Sequence, residues 1–233
     1  MKEREFDNFD EFAKDYRGTH DKSIELSGAD SDYFSEYKVV ELLKFENTND
    51  KMKVLDFGCG DGNSSKYIRK HFHNADIKGI DVSAQSIEEA ELKNIKNANF
   101  LAFDGAKIPF EDNQFDFIFT SMVFHHIEHR LHDNILKEIK RVLKPKGRFY
   151  NFEHNPHNPL TRKVVNECPF DKDAVLLKPS YNRKITVASG LKIEQLNFTL
   201  FLPRHKLFKP FFRLEKLLTW CPIGAQYYIR AVK

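Results

Sequence analysis

No run of 18 apolar residues occurs anywhere in this chain, so no stretch of it reads as a membrane-spanning helix. The N-terminal "MKEREFDNFDEF" carries charges every few residues and no apolar centre, so a secretory signal is not expected there. Cysteine is scarce: Cys59, Cys168 and Cys221 are odd in number, widely spaced and in no CxxC pair. That usage argues against a disulfide framework or a cysteine-rich zinc site, and a reducing cytoplasm is the expected location. An excess of one charge is lacking as well. With 37 basic and 34 acidic side chains the formal net charge is +3, so no global field advertises a nucleic acid partner. Internal repeats and low-complexity tracts are absent.

What is present is enough apolar residue, 41% of 233, to bury one substantial core, so one domain over residues 1–233 is expected. Short apolar runs read as strands at 53–57 ("KVLDF"), 76–80 ("DIKGI"), 98–103 ("ANFLAF"), 115–120 ("FDFIFT") and 147–153 ("GRFYNFE"). Helix-period segments lie between them: "SSKYIRKHF", "SAQSIEEAELKNI" and "LHDNILKEIKRVLK". Strand and helix alternating in this way implies parallel strands joined by right-handed crossovers, hence an open, doubly wound α/β sheet that binds ligands at the carboxyl ends of its strands. Ser83 suits the N-cap of the second helix, and "LKPKG" at 143–147 supplies the stop of the third. Further on, "KITVASG" reads as a short helix closed by Gly190, followed by a strand to about residue 202, and "AQYYIRAV" is the final strand.

The stretch "VLDFGCGDG" at 54–62 brings a glycine turn straight off a strand. Gly58, Gly60 and Gly62 let a ligand approach where a Cβ would clash. Asn63 stands where a dinucleotide fingerprint needs its third glycine, and the lysine of a phosphate-binding loop is missing. Asp56, at the end of the strand, would repel a phosphate and welcome an ammonium group.

With "GIDVS", "FDGAKIPFEDNQFDFIFTSMVFHHI" and "LKPKGRF" following in order, this stretch resembles the class I S-adenosylmethionine-dependent methyltransferases, closest in flavour to the small-molecule enzymes. The resemblance is close over about residues 38–153 and holds in outline beyond. It implies a Rossmann-like, mostly parallel seven-stranded sheet with an antiparallel last strand, in the order 3-2-1-4-5-7-6. It also implies residues 1–36 as an N-terminal lid and substrate segment, 37–155 as the cofactor-binding core, and 156–233 as a substrate-side segment with a helical insertion at about 203–222.

The implied cofactor is S-adenosyl-L-methionine, with S-adenosyl-L-homocysteine as product. Its binding residues are implied to be Asp56, Gly58, Gly60, Asp81, Val82, Asp104, Gly105, Ala106 and Ser121. Asp81, 25 residues after Asp56, can accept both ribose hydroxyls, or serve as a charge partner of a helix N-terminus. Val82 would pack on the adenine face, and Asp104 would accept from the adenine amino group or act as a simple turn residue. Ser121 lies where the family holds the methionine moiety with backbone.

Methyl transfer needs in-line positioning, exclusion of water and removal of the acceptor's proton. His126 is the expected base, with His125 and His154 in reserve; each could instead cap a helix or shape the pocket. No metal is expected, although His125, His129 and His132 at i, i+4, i+7 could share a helical face, with His154 and His157 nearby. Tyr16 and His20 are the lid candidates, on a segment that spaces Phe9, Phe12 and Tyr16 helically.

The expected partner is a small or lipid-linked acceptor methylated at oxygen, and no nucleic acid. The segment 204–220, "RHKLFKPFFRLEKLLTW", mixes apolar and basic residues. It suits a helix lying on an anionic membrane surface or gripping a lipid-linked acceptor and, more simply, an amphipathic helix that covers the sheet with a solvated basic face. Two rival functions stay open: methylation of a protein or RNA, and a non-catalytic module that keeps the cofactor fold.

Overall fold

Apolar residues occupy both sides of the central strands, and a two-sided pattern of this kind requires helices on both faces of a sheet. The computed structural model describes residues 28–171 and 174–233. Tyr16 and His20, with Phe9 and Phe12, lie outside the described residues. The elements run α1 (Ser31–Leu42), β1 (Lys53–Phe57), α2 (Asn63–His71), β2 (Asp76–Asp81), α3 (Ala84–Leu92), β3 (Ala98–Ala102) and β4 (Phe115–Ser121). There follow α4 (His132–Val142), β5 (Leu143–His154), α5 (Pro159–Glu167), α6 (Pro179–Ala188), β6 (Lys192–Thr199) and β7 (Gln226–Val232). Short 3₁₀ turns occupy Phe124–His126, His129–Leu131 and Pro169–Asp171, and a longer 3₁₀ run spans Lys206–Leu217. No helix among the described residues is long and apolar enough to cross a membrane.

The strands make one sheet in the order β3-β2-β1-β4-β5-β7-β6, as the resemblance implies. Neighbours from β3 to β5 pair in parallel, and β7 runs antiparallel to both β5 and β6. Alternate residues serve opposite cores. Leu55, Phe57, Ile118 and Phe149 point to the layer that holds Ile135, Leu136 and Ile139 of α4. Val54, Phe117, Phe119, Tyr150 and Phe152 point to the layer of Val39 and Leu42 from α1 and Ile68 from α2.

Local signals account for most boundaries. Ser83 caps α3, its hydroxyl accepting from the Ser86 amide at 3.1 Å, and Gly190 follows α6 at φ +83. Several boundaries differ from expectation, among them the start of α6 at Pro179, five residues before "KITVASG", and the end of α3 at Leu92, three residues before the end of "SAQSIEEAELKNI". β5 begins at Leu143, four residues before the expected 147, because Leu143 already pairs with Phe115 and the Lys144–Gly147 turn forms a bulge before pairing resumes at Arg148. β6 ends at Thr199, short of 202, and residue 36 falls inside α1 instead of between segments. Within the helical insertion expected at about 203–222 the helix spans Lys206–Leu217, is of 3₁₀ type and has Pro210 inside it.

Candidate active site

The glycine turn is fastened to the neighbouring strand before any ligand is considered. The amides of Gly58 and Cys59 both donate to the Ile80 carbonyl, at 2.8 and 3.0 Å. The Gly60 amide donates to Asp81 Oδ2 at 2.8 Å, while Asp81 Oδ1 accepts from the Ser83 amide at 3.0 Å. Asp81 thus ties the turn after β1 to the start of α3. Gly58 sits at φ +70, and a Cβ there would stand 2.4 Å from Val123 Cγ2, in the loop after β4. Gly60, at φ +51, is different: among the described residues a Cβ there would meet nothing within 4 Å, so its backbone is open to a ligand on that side.

Asp56 is engaged with α2 instead. It is buried and accepts from the Ser65 hydroxyl of α2 at 2.7 Å. Burial pushes its carboxyl up to about 7, against the Ser65 hydrogen bond, with Asp81 and Asp61 adding to the rise. Asp104 is exposed, and its Oδ1 accepts from the amides of Ala106 at 2.8 Å and Lys107 at 3.0 Å, which hold the carboxyl below its usual range. Asp104 therefore does organise the turn that carries Gly105 and Ala106. Ser121 ends β4 and its hydroxyl accepts from Lys38 Nζ at 2.8 Å. Val82 follows Asp81 at the same edge of the sheet.

The histidines gather beyond β4 and β5. Met122, at φ +59, is a left-handed residue directly after β4, and the chain then forms the 3₁₀ turn Phe124–His126. Glu153, fully buried in β5, accepts from the Phe124 amide at 2.9 Å and pairs with His125 Nδ1 at 2.6 Å. Asp171 Oδ1 lies 3.5 Å from His125 Nε2 and 3.4 Å from His126 Nε2. The His126 and His154 rings stand 4.2 and 5.4 Å from that of His125.

Burial would depress His125, but Glu153 and Asp171 outweigh it and hold the imidazole up at about 9. For His126, burial and the neighbouring His125 charge dominate over Asp171, so its pKa is lowered. Burial tends to raise Asp171, yet the two histidines hold it well below the carboxylate range. Lys38 is buried and pushed down to about 8, with Glu153 partly opposing the shift.

Expected site residues thus divide. His125, His126 and His154 come together, and the turn of Gly58 and Gly60 meets Asp81, while His129 and His132 belong elsewhere. They do not continue a helix from His125: His129 lies in its own 3₁₀ turn and stacks on Tyr181, and His132 opens α4 and contacts the Phe124 carbonyl through Nε2 at 3.0 Å. Among the described residues the group with metal-ligand spacing is instead His125, His126 and Asp171, whose ligating atoms lie within 4.8 Å of one another. An imidazolium of His125 between Glu153 and Asp171 accounts for the same arrangement. Three participants were not found from the sequence. Glu153 hides in an apolar run, where one carboxylate between Phe152 and His154 was the available signal; Asp171 and Lys38 had none.

Residues 55–151 match the family described as "Methyltransferase domain". Over 200 residues, 85% of this chain and 80% of the other, an uncharacterized protein of Methanocaldococcus jannaschii is 30% identical. The chain belongs to the class I S-adenosylmethionine-dependent methyltransferases. A demethylmenaquinone methyltransferase of Thermotoga maritima is 35% identical over 121 residues, covering 52% of this chain and 50% of that one. A fatty-acid O-methyltransferase of Mycolicibacterium smegmatis is 31% identical over 120 residues, covering 50% and 43%. The chain therefore spans about half the length of these two relatives, or less. The methyltransferase fold is shared with a chain from the complex between the Haloferax volcanii Trm112 methyltransferase activator and a methyltransferase, at TM-score 0.70, 20% identity and 99% coverage of both. The cofactor of this methyltransferase family is S-adenosylmethionine, and the open backbone at Gly60 beside the Asp81 carboxylate fits it.

Proposed function

We propose that the chain methylates an oxygen of a small or lipid-linked acceptor, with His126 as the general base. The observation that carries this reading is the row Glu153, His125, Asp171, His126, in which the histidines follow Val123, the side chain that stands against Gly58 of the turn that would hold the cofactor. When bound, S-adenosylmethionine supplies an electrophilic methyl group on a sulfonium leaving group and is left as S-adenosylhomocysteine. Asp81 would take its ribose hydroxyls, Val82 its adenine face, Gly105 and Ala106 the ring edge, and Ser121 the methionine end.

His126 takes the acceptor's hydroxyl proton as the oxygen gains the methyl group. Its side chain is 21% exposed and its pKa is lowered, so it is neutral and reachable near pH 7. Asp171 steadies the imidazolium that results. His125 has a fully enclosed side chain and a pKa held at about 9, so it acts as a positioning residue that anchors Asp171. His154 is the reserve base.

No metal takes part in this reading. The relatives named for fatty-acid and demethylmenaquinone methylation support an acceptor of lipid character. In the same reading residues 1–36 are the lid segment of one domain, 37–155 its cofactor core and 156–233 its acceptor side. It works in the cytoplasm, and a lipid-linked acceptor brings the segment 204–220 to a membrane surface.

The test supplies methyl-labelled S-adenosylmethionine to the protein with an extract of its source cells. Label in the lipid or small-molecule fraction is expected, and label in protein or RNA overturns the acceptor class. His126→Ala should lower turnover by roughly a hundredfold with cofactor affinity unchanged. Activity that is lost in a chelator and restored by a divalent cation would make His125, His126 and Asp171 a metal site instead.

A further inference from the structure

The connection between β6 and β7 returns to the edge of the sheet that carries the histidines. Gln226 opens β7 opposite both His154, the last residue of β5, and Thr199, the last of β6. Everything between Thr199 and Gln226 therefore emerges beside the candidate reaction centre. The loop after β5 is bonded to the end of this connection. Asn155 Nδ2 donates to the carbonyls of Pro222 at 2.9 Å and Gly224 at 2.7 Å, and Asn158 Nδ2 donates to that of Ile223 at 2.7 Å.

A 3₁₀ helix has three residues per turn, so positions i and i+3 eclipse and three stripes result. One stripe faces inward through Phe212 and Glu215. The buried Glu215 accepts from the amides of Phe201 and Leu202, both at 2.8 Å, and pairs with Arg204 at 2.7 Å, whose guanidinium lies 4.4 Å from the Phe212 ring centre. The second stripe, after the half-buried Phe208, faces solvent through Phe211, Leu214 and Leu217, and the turns beyond the helix add Trp220 and Ile223. From Phe211 onward these side chains are 52, 52, 71, 74 and 62% exposed. Leu207, Arg213 and Lys216 occupy the third stripe, also exposed, and Lys209 and Lys206, one and two turns before Phe212 on the first stripe, are exposed where that stripe begins.

The geometry points to a membrane-docking surface: this stripe inserts its apolar side chains among the acyl chains of an anionic lipid bilayer while Lys206, Lys209, Arg213 and Lys216 hold the headgroups. Charge decides the occupant. The carboxylate of the run, Glu215, is turned inward onto Arg204, so all four outward charges are positive. A second copy docked on the same face would set these cations against their equivalents, and RNA phosphates would satisfy the cations while leaving the apolar stripe in water. An anionic bilayer satisfies the apolar stripe and the cations on either side of it at once. The surface deepens the acceptor class proposed above, because it would hold the reaction centre against the phase in which a lipid-linked acceptor resides.

Trp220 is the chain's one tryptophan, and its emission reports its own surroundings. The full-length protein is mixed with vesicles of phosphatidylcholine alone or with phosphatidylglycerol added. Sedimentation with the anionic vesicles and a shift of Trp220 emission to shorter wavelength are expected, both weakened by salt. Arg213→Gln with Lys216→Gln should weaken this binding about thirtyfold, and Phe211→Glu with Leu217→Glu should abolish it while leaving thermal unfolding unchanged. Absence of wild-type binding, wild-type binding by the Glu variant, a dimer that the Glu variant disrupts, or binding to RNA but not to vesicles would each overturn the proposal. The vesicles contain no acceptor, so their binding is read independently of methyl transfer. Label that fails to reach any lipid would count against the function and leave a measured docking surface standing.

Discussion

His125 carries its proton inside the protein, between two carboxylates, with no exposed atom on its side chain. A histidine whose pKa is raised in the folded state stabilises fully below its unfolded value, near 6.5, and loses that contribution as pH climbs through the folded value, here about 9. The melting temperature should therefore fall between about pH 6.5 and pH 9, by an amount equivalent to at most about 3 kcal/mol. Glu153→Gln keeps an acceptor for the Phe124 amide but removes the larger of the charges that raise His125, so its melting temperature should fall much less over that interval. Equal slopes in the two proteins would mean that His125 is neutral throughout. Asp81 makes a second residue-scale case. Asp81→Asn retains one acceptor oxygen and loses the other, so cofactor affinity should weaken by at least about tenfold in calorimetric titration. Unchanged affinity would remove Asp81 from the cofactor site.

The glycine turn separates two jobs that look identical in its sequence. Gly58→Ala would drive a Cβ into Val123 as well as strain the backbone, so its main effect should be on unfolding in denaturant. Gly60→Ala meets nothing among the described residues and carries only the left-handed strain of about 1–2 kcal/mol, so its larger effect should be on cofactor affinity. The reverse ranking would place the cofactor on the other side of the turn. The same element shows why parts of the protein were legible beforehand. β1, α2 and β2 announced themselves because short apolar runs and period-3.6 segments alternate cleanly there. At 206–217 a helix was legible but not its period, because the apolar residues fit a period of 3.6 over a few turns and the folded period is three. Pro210, inside the run, was the sign that an α-helix would not continue.

For the whole molecule, sheet order and cofactor class were legible because both rest on motifs placed along the parallel strands. The acid–base cluster was legible only in half. His125 and His126 are adjacent in sequence, but Glu153 and Asp171 reach them from 28 and 45 residues further along the chain, and such proximity is set by tertiary packing rather than by spacing. Cofactor binding should be felt by the entire fold, because the turn, β2 and the loop after β4 are bonded or packed together. S-adenosylmethionine at a hundred times its dissociation constant should add about 2.7 kcal/mol of stability. For a chain of this size that is roughly 5–10 °C in a thermal shift experiment. No shift would count against cofactor binding.

The reversal of β7 has an engineering consequence. Because β6 and β7 meet at Thr199 and Gln226, the intervening loop enters and leaves through two positions that face each other across paired strands. Residues 200–225 form a cassette with a fixed socket, and exchanging it between relatives should change vesicle binding while leaving cofactor affinity, set by residues 56–121, unchanged in calorimetric titration.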